Sequence, residues 1–256
     1  MQKIFAHRGA SAYAPENTLE AFDLAVKMGA DGVELDVHMT KDGELVVAHD
    51  EEIGRVSNGI GLIKNMTVSE LKKYRFNRTH PEYQDANIPT LREVYELLKP
   101  TGLQINTELK SGYGQDELME ERCLRLADEL GMSGRVLYSS FSIASLRLLK
   151  RMDPGVRVGL LLAPLGNKRK DRKVIDPWNL AQLLGIDAIH PHFSELLCHG
   201  ADEAHAMGLQ VNVWTTNAEE DIRRSLEAGA DMLIGDYPDR MVKIRAEMHP
   251  ADLTAP

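Results

Sequence analysis

Short β-rich runs alternate with longer amphipathic stretches along the whole chain, and this alternation limits the available folds more than any other feature. The strand candidates span residues 3–8, 32–37, 103–109, 136–140, 157–162, 188–193, 209–214 and 231–235. Between them, residues 18–28, 91–99, 118–130, 143–151, 177–184, 200–207 and 218–228 carry apolar side chains at helical spacing, and 238–248 closes the series. Leu19, Phe22, Ala25 and Val26 illustrate the period. Strands that alternate with helices run parallel, because a parallel pair needs a crossover connection. Eight such units in 256 residues fit a closed α/β barrel of the (β/α)8 TIM type better than an open doubly wound sheet.

The punctuation agrees with this reading. Gly29, Gly131, Gly208 and Gly229 stand where helix C-termini are expected, while Thr18 or Asn17, and also Asn217, stand where N-caps are expected. One segment, 51–88, breaks the alternation. It is polar, holds one short helical piece near 68–74, and is longer than a strand-to-helix connection requires. An insertion after the second strand lies over the mouth of a barrel, so the chain reads as a single barrel domain, 1–256, with a small cap.

Composition narrows the function. With 43% hydrophobic and 27% charged residues the chain is neither disordered nor fibrous. Its 30 Lys+Arg against 39 Asp+Glu give a formal charge of −9, which leaves no global positive field for nucleic acid. No run of about 18 apolar residues and no leader pattern stands out, so no stable membrane insertion is expected and a cytoplasmic location is. Cys123 and Cys198 are far apart, each in a helical pattern, and read as buried free thiols.

Chemistry enters with the second strand, Gly-Val-Glu-Leu-Asp-Val. Side chains alternate, so Glu34 and Asp36 share one face while Val33, Leu35 and Val37 share the face expected to meet the helices. On the next strand Asn106, Glu108 and Lys110 alternate with Ile105, Thr107 and Leu109, bringing a third carboxylate and an ammonium to the same rim. Three inward carboxylates repel unless a proton or cation is shared, and an all-oxygen set suits a hard divalent ion, Mg2+ or Ca2+, rather than zinc. Lys110 then reads either as a phosphate contact or as a partner of Glu34 or Glu108.

Two histidines end strands: His7 in "AHRGA", and His49 after a hairpin turn at Lys41-Asp42-Gly43. By position they can serve as general acid and base on either side of a phosphodiester. The remaining histidines, 38, 80, 190, 192, 199, 205 and 249, read as packed or surface residues. Strict alternation turns Arg8 away from His7 unless Gly9 twists the chain toward the mouth, where a guanidinium fork suits a phosphodiester anion. Glu16 either orients His7 or Arg8 or complements the first helix dipole. Trp214, alternating with Val211 and Val213, either contacts the alcohol portion of a substrate or fills the barrel. Asp236 stands at a similar height, without an assigned role.

The ordered set "HRGASAYAPENTLEAF", "GADGVELDVHMTKDGELVVAHD", "IPTLREVYELL", "NTELK" and "VNVWTTN" resembles bacterial glycerophosphodiester phosphodiesterases over nearly the whole chain. The resemblance implies a barrel with an insertion after strand two, His7 and His49 as acid and base, and Glu34, Asp36 and Glu108 as divalent-metal ligands. It also implies Arg8 and Lys110 as phosphate contacts, and hydrolysis of a glycerophosphodiester to sn-glycerol 3-phosphate and an alcohol. The insertion departs from the family pattern at "EEIGRVSNGIG" and "RFNRTHPEYQDA". Activity on lysophospholipids and a non-catalytic phosphate-binding module are the competing readings.

Overall fold

The computed structural model describes residues 1–110, 118–164, 177–199 and 201–249. Among them, eight parallel strands close a barrel: β1 (Lys3–His7), β2 (Gly32–Met39), β4 (Gln104–Leu109), β5 (Val136–Ser140), β6 (Arg157–Leu162), β7 (Ala188–Pro191), β8 (Gln210–Val213) and β9 (Met232–Gly235). Pairing of β1 with both β2 and β9 completes the ring. The ninth strand, β3 (Leu45–Val47), is the return arm of the expected hairpin and pairs antiparallel with β2.

The helices are α1 (Leu19–Lys27), α2 (Val68–Leu71), α3 (Leu91–Leu98), α4 (Leu118–Glu129), α5 (Ile143–Met152), α6 (Pro177–Leu183), α7 (Phe193–His199), α8 (Asp202–Ala206), α9 (Glu219–Glu227) and α10 (Pro238–Met248); all but α2, which lies in the insertion, follow the barrel strands around the ring. Their starts follow local chemistry. Thr18 caps α1 and Thr90 caps α3, the latter with Glu93 in a reciprocal capping box worth about 1 kcal/mol. Gly29, Gly131, Gly208 and Gly229 all take the left-handed conformation that ends a helix without Cβ strain, at φ 76°, 67°, 77° and 84°.

The main core lies between barrel and helices. Val33, Leu35 and Val37 on β2 pack there with Phe22 and Ala25 of α1 and with Leu91, Val94 and Leu98 of α3. A second core unites the hairpin with the insertion: Val46 and Ala48 pack with Ile53, Val56, Ile63, Leu71, Phe76 and Ile88. The polar segment 51–88 therefore has an interior of its own, built on the strand that leads to His49.

Three expectations are corrected. The first strand stops at His7, because Arg8 itself turns left-handed at φ 57° before Gly9 does so at 80°. The run 188–193 is a strand only to Pro191, and α7 begins at Phe193. Asn217 does not cap α9; its side chain is engaged by Asp236. Cys123 is a buried free thiol, whereas the side chain of Cys198 and residue Gly200 lie outside the described set. Among the described residues no helix is long and apolar enough to cross a membrane.

Candidate active site

Register in the barrel brings the acidic residues together. Glu34 lies level with Asn106 and Asp36 level with Glu108 on the neighbouring strand. All three carboxylates are buried. One oxygen from each lies within 4.8 Å of the other two. Burial, reinforced by Asp36 and Glu108, pushes the Glu34 carboxyl well above its ordinary range. Burial and then Asp36 push Glu108 up to about 7. Asp36 goes the other way: burial opposes its charge, but Lys110 and Arg8 outweigh it and hold the carboxyl far below the usual value.

Lys110 Nζ sits 2.9 Å from Asp36 Oδ1 and 2.6 Å from Glu108 Oε1, and Arg8 Nε faces Asp36 Oδ2 at 3.3 Å. Two cations thus balance a triad that is otherwise too acidic for its surroundings. These oxygens can hold a hard divalent metal ion, since they are carboxylates gathered within ligand reach with no thiolate or imidazole among them. Lys110 forms ion pairs with Glu108 and Asp36 rather than with Glu34, and its side chain also lines the cavity described below.

The loop from Arg8 to Asn17 supports Asp36 from the other side. Both ends of that loop are left-handed, Arg8 at φ 57° and Asn17 at φ 58°, and both aim their side chains at the same carboxylate. Asn17 Nδ2 donates to Asp36 Oδ2 at 2.8 Å. Backbone strain at two non-glycine residues facing one buried group is characteristic of functional sites.

Each histidine has its own carboxylate. His7 Nδ1 is 2.6 Å from Asp236 Oδ1, and His49 Nδ1 is 2.7 Å from Asp50 Oδ1. Asp236 is further held by Ser11 Oγ at 3.1 Å and Asn217 Nδ2 at 2.6 Å. Burial opposes ionisation of Asp236, yet its hydrogen bond with His7 keeps the carboxyl below the ordinary range. Such a partner fixes the Nδ1 tautomer and leaves Nε2 for proton transfer. His7 Nε2 lies 3.9 Å from Glu34 Oε2. Burial lowers the affinity of His49 for its proton.

His7, His49, Arg8, Lys110, Glu34 and Glu108 line one cavity of about 160 Å³, while Asp36, Asp50 and Asp236 stand behind them. Its apolar lining is Phe141, Leu161, Trp214 and Ile234. Trp214 Nε1 donates to the His190 carbonyl at 2.8 Å, and Phe141 meets the indole edge-on at 6.0 Å between centroids. Glu16 lines no part of the cavity described here but bonds Arg8 at 2.9 Å, so it orients Arg8 rather than His7.

Four participants carry no site role in the sequence pattern, Asn17 having stood there only as an N-cap candidate. Asp50 and Asp236 orient the histidines, Asn17 supports Asp36, and Arg55 ties Asp50 to Glu16. Asp50 adjoins His49 in sequence and could have been found by that adjacency. Asp236 and Arg55 reach the site only through folding.

A barrel whose mouth combines three buried carboxylates, two cations and two carboxylate-held imidazoles is equipped for acid–base chemistry beside a bound cation. Residues 7–240 match the sequence profile of the glycerophosphoryl diester phosphodiesterase family. The chain is 36% identical to a glycerophosphodiester phosphodiesterase of Caldanaerobacter subterraneus subsp. tengcongensis over 94% of this chain and 96% of that protein. Among solved structures it is similar to a putative glycerophosphoryl diester phosphodiesterase from Silicibacter pomeroyi, with TM-score 0.86, 27% identity and coverage of 97% and 94%. A phosphodiesterase from Oleispira antarctica in complex with the product sn-glycerol-3-phosphate is similar at TM-score 0.83 and 28% identity, covering 96% and 97%. This chain belongs to the glycerophosphoryl diester phosphodiesterase family of enzymes.

Proposed function

We infer that the protein hydrolyses glycerophosphodiesters to sn-glycerol 3-phosphate and a free alcohol, using His7 and His49 as the acid–base pair. The observation that carries this is the meeting in one cavity of two imidazoles, each held through Nδ1 by its own aspartate, with Glu34 and Glu108 of the buried carboxylate triad. The chain acts as one catalytic barrel with 51–88 as its cap. Glu34, Asp36 and Glu108 would hold Mg2+ or Ca2+, which would supply positive charge against the negative charge that builds on the phosphoryl group.

The side chains present account for the rest. Arg8 offers a fork of donors to the diester anion, steadied by Glu16 and Asp36. Lys110 supplies a second positive charge at the same wall. Nε2 of one histidine accepts the proton of the attacking hydroxyl or water, and Nε2 of the other donates to the departing alkoxide. Asp236 and Asp50 hold the rings in register through both transfers. Trp214 and Phe141 present carbon surface to the glycerol or alcohol portion.

The test is release of sn-glycerol 3-phosphate from a panel of diesters, with chelator and then with added Mg2+ or Ca2+. Turnover that chelator abolishes and metal restores, and that His49→Ala removes while metal binding persists, supports the reading. A wild-type protein that binds phosphate and turns over no diester would favour the binding module.

A further inference from the structure

We propose that Arg55, from the first turn of the insertion, is a positioning residue that sets both the phosphate-facing Arg8 and the proton-transferring His49. The proposal rests on the functional reading above for what those two groups do. Its geometric basis is a continuous chain of charges.

Arg55 spreads its guanidinium over two carboxylates. Nη1 donates to Glu16 Oε2 and Nη2 to Glu16 Oε1, each at 2.7 Å, in a two-pronged fork, while Nε donates to Asp50 Oδ2. The far side of each carboxylate is engaged by a site residue. Glu16 Oε1 accepts from Arg8 Nη1 at 2.9 Å, and Arg8 in turn faces Asp36 at 3.3 Å. Asp50 Oδ1 is 2.7 Å from His49 Nδ1. Read from end to end the order is Asp36, Arg8, Glu16, Arg55, Asp50, His49, with charge alternating from Asp36 to Asp50.

An isolated exposed ion pair contributes little, but a two-pronged pair within a network is a different case. Glu16 is shared by two guanidiniums; removing one lets its carboxylate rotate toward the other and carries Arg8 with it. Asp50 likewise loses the partner that fixes which of its oxygens meets His49. Lysine at position 55 presents a single point charge and cannot span three acceptors, so charge alone does not replace the fork.

The insertion holds Arg55 in place by packing. Its neighbours Ile53 and Val56 are buried in the second core, together with Val46 and Ala48 of the segment that leads into His49. Arg78, farther along the insertion, donates to the Gly54 carbonyl. Through Arg55 the insertion thereby belongs to the catalytic geometry. Arg55 itself is 45% exposed, so its replacement leaves both cores intact.

The experiment compares wild type, Arg55→Gln and Arg55→Lys on glycerophosphocholine, with unfolding temperature as control. Misplacing reacting groups costs up to about a hundred-fold in rate, and for Arg55→Gln we expect a roughly ten- to hundred-fold loss of kcat/KM spread over both kcat and KM. Arg55→Lys should recover little, and added guanidinium should recover more in Arg55→Gln than in wild type. In double-variant cycles, Asp50→Asn and Glu16→Gln should each cost less in the Arg55→Gln background than alone; full additivity overturns the proposal. A second readout needs no turnover: the NMR signals of the His49 ring and the Arg8 Nε–H should both move in Arg55→Gln. If neither moves, the coupling is absent. A wild type inactive on every diester sinks the functional reading, while the NMR result still decides the coupling.

Discussion

Metal binding to the acidic triad should release protons, in a number that depends on pH through Glu108. In the metal-free site this carboxyl is pushed up to about 7, by burial first and by Asp36 next, and Glu34 is also raised. Carboxylates bind a divalent cation only when ionised, so each proton present must leave. One unit below its pKa Glu108 is ~0.9 protonated at pH 6, and one unit above it is ~0.1 protonated at pH 8. The difference is at least about 0.8 proton per metal, with Glu34 adding whatever it holds. Below pH 7 the apparent affinity should weaken toward ten-fold per pH unit from Glu108 alone, about 1.4 kcal/mol per unit. Calorimetric titration of Ca2+ or Mg2+ at pH 6 and pH 8, each in two buffers of different ionisation enthalpy, counts the protons directly. Equal release at both pH values, or an affinity flat between them, refutes the reasoning, because Glu108 would then not change its protonation between pH 6 and pH 8.

Asp236→Asn keeps the shape of the His7 partner but removes its charge; losing a charge-assisted hydrogen bond of about 1.5–3 kcal/mol predicts a fall in kcat of roughly ten- to a hundred-fold with KM nearly constant. Steady-state kinetics that put the loss in KM instead would count against the positioning role. His190 is fully buried inside the barrel and burial lowers its pKa to about 3. Between pH 6.5 and 3 the unfolded chain binds a proton that the folded chain refuses, so stability is complete above that window and falls as pH drops through it. At pH 5 the loss is roughly 2 kcal/mol, and urea unfolding at pH 7.5 and 5.0 should show a smaller drop in His190→Gln than in wild type. Leu35→Ala empties a fully buried position on the helix-facing side of β2 and should cost about 2–5 kcal/mol, read as a lower denaturation midpoint with unchanged slope.

Much of the fold was legible because its signals are local. Period-two alternation identified the face carrying Glu34 and Asp36, and the helical period marked the elements between strands. Glycines 29, 131, 208 and 229 ended helices because left-handed φ is costly for any other common residue. The hairpin turn, the position of His49 beyond it and the inward direction of Glu108 follow from the same short-range rules. Where local rules competed, the reading failed. Nothing in "AHRGA" distinguishes a strand running through Arg8 from one that turns there, and "HPHF" hides the start of α7 after a strand of only four residues.

What the sequence alone determined was therefore a list of elements, the side on which each carboxylate and histidine lies, and the family they resemble. Closure of the barrel decided the rest. His7 and Asp236 are 229 positions apart and meet because β1 and β9 are neighbours in the ring; Arg55 reaches Glu16 across 39 positions because the insertion folds back on its own core. Such pairs depend on strand order and packing, which no short window encodes. For the same reason only tertiary structure separates Glu34 and Glu108, raised by burial and then by the charge of Asp36, from Asp36 itself, which Lys110 and Arg8 keep ionised.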